Sequence, residues 1–149
     1  MIPREGVALH QETIDFEPRK RGLHEITSRI ARVVSASGVR VGLCNVFVCH
    51  TSASLTIQEN ADPSARRDIE AYFDRLVPEN DPHYTHTAEG PDDMPSHIKS
   101  VLSETSLTIP ISEARLGLGT WQGIYLWEHR NRATARRVIV TVHGAGNDR

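Results

Sequence analysis

Several features are scarce in this 149-residue chain, and each absence removes a class of protein. No apolar run approaches the roughly 20 residues that a membrane-spanning helix needs. The segment from Met1 to Phe16 lacks the apolar core of a secretory signal peptide. Basic residues are not in excess, because 17 Lys and Arg stand against 19 Asp and Glu, and this disfavours a general nucleic-acid binder. We therefore expect a cytoplasmic protein with no nucleic-acid or membrane partner.

Cysteine is also scarce, and the glycines do not form a recognisable phosphate-binding loop. Cys44 and Cys49 are the two cysteines, and on a strand their side chains would point to opposite faces. We therefore expect no disulfide between them and interpret both as buried, reduced thiols. The length and the 38% hydrophobic content suffice for one domain with a real core.

Hydrophobic periodicity predicts the regular elements of the first half of the chain. Alternation over Val7–Phe16 predicts a strand, and apolar residues at helical spacing from Leu23 onward predict a helix that ends at Gly38. The segment Val39–His50 is apolar on both faces, which indicates a central strand. Asp62 and the proline after it predict the start of a helix that continues to about Val77.

The second half of the chain is predicted in the same way. Pro95 is expected to open a short helix, with Asp93 as a candidate cap. Leu107–Ile111 reads as a strand near a sheet edge because it contains a proline. A further strand is predicted to end at Glu128, and the last one covers Val138–Val142 and ends at His143.

The segment His83–His97 is the part of the chain richest in side chains that bind metals or transfer protons. It holds three histidines together with Glu89, Asp92 and Asp93, and its glycine and prolines forbid a long regular element. Histidine and carboxylate together suit a divalent metal such as zinc, or acid–base chemistry near neutral pH. A solvated surface loop has a similar composition, so the segment alone leaves both interpretations open.

Other candidate residues have both a structural and a functional interpretation. His50 ends the central strand, where it can reach a cleft or make a structural hydrogen bond. Asp62 is better explained as a helix cap, whereas Glu59 and Asn60 precede a helix start that favours anions. Trp121, which lies between glycines, can offer a stacking surface, although core packing is the commoner role of tryptophan.

Several motifs occur in an order and spacing that resemble the YjbQ-like family, also called the secondary thiamine-phosphate synthase family. They are His50–Ala53, Glu59–Pro63, His86, Glu89–Pro95, His97–Lys99 and Gly119–Gly123. The resemblance covers the chain from about Glu12 to His143. It implies one α+β domain over residues 1–149, with a twisted, mostly antiparallel or mixed sheet packed against two or three helices. It also implies a homotrimer with a pocket near a subunit boundary.

The resemblance further implies roles for individual residues. The candidate metal ligands are His50, His86 and His97, and the candidate catalytic residues are Glu89, Asp93 and Asp62. Candidate ligand-binding residues are Glu59, Asn60, Trp121, Gln122 and Glu128. The expected cofactor is a divalent metal, zinc in preference to magnesium, because three histidines from separate segments form an open tripod typical of catalytic zinc.

Three functions remain open from the sequence. Family members are associated with weak thiamine-phosphate synthase activity, which implies a transferase that joins a pyrimidine methyl diphosphate to a thiazole phosphate. A metal-dependent hydrolase of a small phosphorylated or ester substrate would use the same tripod with a bound water. A non-enzymatic trimer that binds a small anion is the third hypothesis, since no activated nucleophile stands out.

Overall fold

A computed structural model describes residues 7–146 of the chain. Within these residues the chain forms eight strands and three helices. In chain order they are β1 (Val7–Phe16), β2 (Gly22–Glu25), α1 (Thr27–Ser37), β3 (Val39–Val48), β4 (Ala53–Glu59), α2 (Pro63–Leu76), α3 (Asp93–Leu102), β5 (Ser106–Ser112), β6 (Arg115–Leu116), β7 (Gln122–Glu128) and β8 (Arg136–Gly146). None of the three helices is long and apolar enough to cross a bilayer.

The strands form two sheets, which confirms the predicted α+β class and specifies its arrangement. The larger sheet has the order β1-β8-β3-β5-β6, and the smaller one has the order β2-β7-β4. Every strand pair in both sheets is antiparallel. Because β6 has only two residues, β5 lies next to the edge, as its Pro110 predicted.

The main core lies between the larger sheet, α1 and the smaller sheet. Alternation places one face of β3 and β8 inward, so Val46, Val48, Val138, Val140 and Val142 are buried, while neighbouring residues such as Phe47 are exposed. The stripe of Ile30, Val33 and Val34 buries α1 against that face. This helix ends where Gly38 adopts a left-handed φ of 75°, a conformation that glycine adopts at little cost.

The strand β7 is buried on both faces, and this makes the smaller sheet a middle layer. Ile124 and Leu126 belong to the main core. Tyr125 and Trp127 form a second cluster with Leu23, which α2 covers through partly buried side chains. The helix α2 therefore packs on the outer side of the sheet, and none of its own residues is fully buried.

Several predicted element boundaries were wrong; the central strand, for example, ends at Val48 and not at His50. Leu23–Glu25 forms strand β2 instead of a helix, because pairing with β7 and a hydrogen bond from the Leu23 N–H to Glu70 (2.7 Å) outweigh the helical spacing. The helix α3 begins at Asp93 rather than at Pro95. The last strand continues to Gly146, since it pairs with both β1 and β3 along that extension.

The cysteines differ from each other in exposure. Both are free, Cys44 is buried, and burial raises the pKa of its thiol to about 11. Cys49 is exposed, so its prediction as a buried thiol was wrong. It directly follows the last residue of β3, where the strand leaves the sheet.

Acid is expected to destabilise the fold through His129, whose side chain is 1% exposed. Burial, followed by the charges of Lys99 and Arg136, lowers the pKa of this histidine from 6.5 to about 3. The unfolded chain therefore binds the proton more strongly, so this contribution to stability is complete above pH 6.5 and is lost as the pH falls toward 3. NMR titration should show a neutral His129 ring down to about pH 4; protonation near pH 6.5 would contradict this.

Candidate metal centre

The long loop after α2 and the first turn of α3 bring three ligand-type side chains together. Asp93 and His97 are four residues apart on α3, so they share one face of the helix. Oδ2 of Asp93 lies 2.7 Å from Nε2 of His86 and 3.3 Å from Nε2 of His97. Among residues 7–146, this is the one group of at least three such residues whose ligand atoms lie within 4.8 Å of one another.

The cluster is closed at its base and open toward solvent. The Asp93 carboxylate is the buried member, with 3% of the residue exposed. The His97 side chain is 30% exposed and that of His86 is 51% exposed, so both rings reach the surface. Their centroids are 5.4 Å apart. This arrangement leaves one side of the cluster accessible to a small molecule.

Hydrogen bonding determines which nitrogen of His97 carries the proton and which one presents a lone pair to the Asp93 carboxylate. Nδ1 of His97 lies 2.9 Å from the carbonyl oxygen of Thr51, which can only accept, so Nδ1 carries the proton. In the neutral ring, Nε2 then presents a lone pair to the negatively charged Asp93. Two such groups repel each other unless a proton or a metal cation lies between them. A backbone carbonyl bound to the distal nitrogen is also the usual support of a metal-bound histidine.

Arg130 orients Asp93 from the opposite side. Its Nη1 donates to Oδ1 of Asp93 (2.7 Å) and its Nε to Oδ2 of Asp92 (3.1 Å), while Nη2 donates to the carbonyl of Glu89 (3.0 Å). Burial opposes the charged form of Asp92, but hydrogen bonds from the Asn131 backbone and from Arg130 outweigh it and lower the pKa of this carboxyl. The second oxygen of Asp93 is thereby left to the two histidines.

The donor set of the cluster fits a divalent transition metal. Two imidazole nitrogens and one carboxylate oxygen form a set that catalytic zinc sites use, with a further position left for water. The 3.3 Å between Asp93 and His97 is near the roughly 3.4 Å expected between ligand atoms around tetrahedral zinc, whereas the 2.7 Å between Asp93 and His86 is a hydrogen-bond distance that zinc would lengthen by about 0.7 Å. Since His86 is an exposed loop residue, it can adjust by the small remaining difference.

The third predicted metal ligand, His50, lies outside this group. Its Nε2 accepts a hydrogen bond from the backbone N–H of Arg137 (2.8 Å). Burial, and next the charge of Arg136, lower the pKa of His50, which agrees with a neutral accepting ring. Two of the three predicted histidines, His86 and His97, therefore lie together in one chain, and the third member of their group is Asp93 instead of His50.

The predicted ligand-binding residues at the end of β4 form a separate pocket of about 410 Å³. Glu59, Trp121 and Gln122 line it, and 64% of Trp121 is exposed. Asn60 donates to Glu25 (3.1 Å), and the Gln122 side-chain oxygen accepts from Gly119 (2.7 Å). Thr51, beside the metal cluster, precedes β4 and Glu59 ends it. The two sites are therefore roughly 20 Å apart within one chain.

Three further candidate residues have defined structural roles or positions. Asp62 is exposed and caps α2, with its side chain accepting from the Ser64 N–H (2.9 Å). Glu128 is 1% exposed, and both of its oxygens are engaged by the buried Arg136. Glu89 is exposed beside Asp92 and lines a polar groove of about 630 Å³ next to the cluster. Of the three, Glu89 is the carboxylate free to face a substrate.

Sequence reasoning placed Asp93 among the candidate catalytic residues and not among the candidate metal ligands. The signal was present, because Asp93 and His97 have the i, i+4 spacing that places two side chains on one helical face. Starting α3 at Pro95 removed Asp93 from the helix and hid this relation. Arg130 was missed entirely, because its sequence context is a charged turn without a recognisable motif.

The fold and the cluster together define a small α+β domain with an open His–Asp–His centre. The chain belongs to the UPF0047 protein YjbQ-like family, whose model matches residues 12–145. It is 56% identical over 135 residues to UPF0047 protein sll1880 of Synechocystis, covering 91% of this chain and 92% of that protein. It is 46% identical over 136 residues to UPF0047 protein YjbQ of Escherichia coli O157:H7, covering 91% and 98%.

Solved structures show the same fold. A YjbQ/UPF0047 family protein of Clostridium acetobutylicum, an orthologue of Bacillus subtilis YugU, superposes with a TM-score of 0.81 at 36% identity. That comparison covers 88% of this chain and 98% of the other. A YbjQ-like protein of Sulfolobus solfataricus gives a TM-score of 0.84 at 22% identity, covering 93% and 99%. The larger and smaller sheets are thus features of the family fold.

Proposed function

We propose that the chain is a metal-dependent enzyme that acts on a small phosphorylated molecule at the His86–Asp93–His97 cluster. The observation that carries this proposal is the hydrogen bond between His97 Nδ1 and the Thr51 carbonyl. It leaves the lone pair of His97 Nε2 facing the buried Asp93 carboxylate. A divalent cation between them turns this repulsion into attraction. Zinc is preferred to magnesium because two of the three donors are imidazole nitrogens.

The surrounding residues support hydrolysis as the reaction type. A bound zinc ion would lower the pKa of a water molecule to roughly 7. Asp93 supplies negative charge at the base of the site, and Arg130 keeps its carboxylate oriented. Glu89 lines the adjacent polar groove, where it can accept a proton, and Arg132 lines the same groove, where it can meet a phosphate. The substrate class we propose is a small phosphoester.

A transferase of the thiamine-phosphate synthase type is the second candidate, and the exposed indole of Trp121 favours it. An aromatic surface beside a pocket is suited to stacking on a flat ring. Within one chain, however, this pocket and the metal cluster lie at opposite ends of β4. The transferase therefore requires two chains to combine the sites, whereas hydrolysis requires only the cluster.

The homotrimer that the family resemblance implies would supply the association of chains on which this second candidate depends. The outer face of the larger sheet exposes Leu9 by 75%, Leu43 by 42% and Phe47 by 43%, and burial of these side chains would favour association. Light scattering coupled to gel filtration should give three times the chain mass of 16.6 kDa. A monomeric mass would remove the transferase candidate and leave the hydrolase unaffected.

A screen of small phosphoesters, with zinc or magnesium added, tests the proposed activity. We expect turnover that a chelator abolishes and that His97→Ala lowers at least about 100-fold. His83→Ala is the matched control, because His83 lies in the same loop with its side chain 93% exposed and outside the cluster. Equal losses in both variants would contradict the proposal. Metal binding without turnover of any substrate would favour the non-enzymatic binder.

A further inference from the structure

A small cavity lies behind α3, on the side away from the metal cluster. It has a volume of about 80 Å³, and its polar lining includes Arg21, Glu70, Asp74, Lys99 and His129. Lys99 is 3% exposed and His129 is 1% exposed, so two polar side chains are almost completely buried at its wall. Neither residue takes part in the proposed function.

The hydrogen bonds around His129 fix the position of its ring proton. Three short contacts run in series: His129 Nε2 to Ser54 Oγ (2.8 Å), Ser54 Oγ to Ser103 Oγ (2.6 Å), and Ser103 Oγ to the carbonyl of Lys99 (2.6 Å). Each contact needs one hydrogen, and a carbonyl supplies none. Ser103 must therefore donate to Lys99, Ser54 to Ser103, and His129 Nε2–H to Ser54. Any other assignment leaves one pair of acceptor atoms in contact without a hydrogen.

This assignment leaves Nδ1 of His129 as a buried acceptor. Among residues 7–146, Nδ1 has no hydrogen-bond partner, and it is the one buried side-chain polar atom in that state. Leaving a buried acceptor without a partner destabilises the fold, so a donor at this position is strongly favoured. Lys99 lines the same cavity, and its ammonium has three N–H groups, of which one donates to Asp74 (2.7 Å).

Volume and charge decide which ligand fits. A water molecule occupies about 30 Å³ in the liquid, so the cavity suits two or three waters and no metabolite. The positive charges of Arg21 and Lys99 are balanced by Glu70 and Asp74 in the same lining. A bound anion would therefore meet two carboxylates, whereas water can accept from Lys99 and donate to Nδ1 of His129.

We propose that this cavity, which is bordered by the partly exposed Arg21 and Asp74, is a water-binding site in which a water molecule bridges Lys99 Nζ and His129 Nδ1 at its buried wall. The site connects the buried face of α3, which carries Lys99, to the segment that follows β7. The Ser96 hydroxyl of the same helix lies 2.9 Å from the carbonyl oxygen of His129 and 2.7 Å from that of Asp92, and it shares its one hydrogen between these two acceptors. The water thereby helps to hold the helix that presents Asp93 and His97 on its other side.

NMR of the wild-type protein tests the proton assignment without any substitution. Two-bond correlations between ring protons and nitrogens should identify His129 as the Nε2–H form with an unprotonated Nδ1. A crystal structure at a resolution that orders water should show a peak within hydrogen-bond distance of both Lys99 Nζ and His129 Nδ1. The Nδ1–H form, a cavity without such a peak, or an anion in its place would each overturn the proposal.

Two variants separate the water site from the serine chain. Lys99→Met removes the donor to the water, and we expect a downfield shift of the Nδ1 resonance of His129. Ser54→Ala removes the partner of Nε2 and is the control, with the Nδ1 resonance expected to stay near its wild-type position. The reverse pattern would overturn the bridge. The wild-type spectrum decides the proton assignment even if either variant fails to fold.

Discussion

Replacing Asp93 with asparagine should weaken zinc binding by more than the roughly 10- to 100-fold that loss of an outer partner costs. The substitution keeps the size of the side chain and its contact to Arg130 but removes the negative charge between the two histidines. Without that charge, the third ligand is a weakly binding amide oxygen. Competition titration against a chromophoric zinc chelator measures the affinity directly.

Asp92→Asn is the matched control for this substitution. Asp92 is 7% exposed, compared with 3% for Asp93, and it binds the same arginine. It lies outside the cluster, so we expect its zinc affinity to change by about tenfold at most. If the two variants lost affinity equally, the effect would come from disturbance of Arg130 and not from loss of a ligand.

The largest expected effect on stability comes from Glu128→Gln. Glu128 and Arg136 have side chains 1% and 4% exposed, and the carboxylate accepts from both Nε (2.7 Å) and Nη2 of the guanidinium. Removing the charge of Glu128 leaves a buried guanidinium without its counterion. We expect the free energy of unfolding to fall by roughly 3–5 kcal/mol. Urea unfolding followed by circular dichroism measures this change.

Asp15→Asn provides the exposed counterpart of the same experiment. Asp15 accepts from Arg137 (3.1 Å), and the two side chains are 71% and 61% exposed. Water screens this pair, so the expected loss is below about 1 kcal/mol. From the sequence, Glu128 was predicted to bind a ligand. If that were its role, Glu128→Gln would lower the ligand affinity and leave the unfolding free energy nearly unchanged. The two measurements together decide between the roles.

Features that depend on neighbouring residues were predicted well from the sequence. The strand Val7–Phe16 has the predicted bounds, Asp62 caps α2, and Gly38 ends α1. Each of these signals arises within a few residues: alternation, a side-chain acceptor before a proline, or a left-handed glycine. Tertiary packing had little to override at these positions.

Features that depend on residues distant in the sequence were not predicted. Leu23 has helical spacing to later apolar residues, yet it pairs with Trp127 in a sheet. The contact between Asp93 and Arg130 joins residues 37 positions apart, and no local pattern indicates it. Trp121 and the histidine cluster lie near opposite ends of β4, and the motifs alone do not show where this strand begins and ends in space. The motifs thus named His86, Asp93 and His97 but did not indicate that these three side chains lie together.

The most direct test of the metal centre is anomalous scattering from crystals of the tag-free protein soaked in zinc, recorded on both sides of the zinc absorption edge. We predict one strong peak per chain, about 2.0–2.2 Å from Nε2 of His86, Oδ2 of Asp93 and Nε2 of His97. A peak at another site, or none at zinc concentrations well above the protein concentration, would contradict the proposed centre. In that case a proton, and not a metal, would lie between His97 and Asp93.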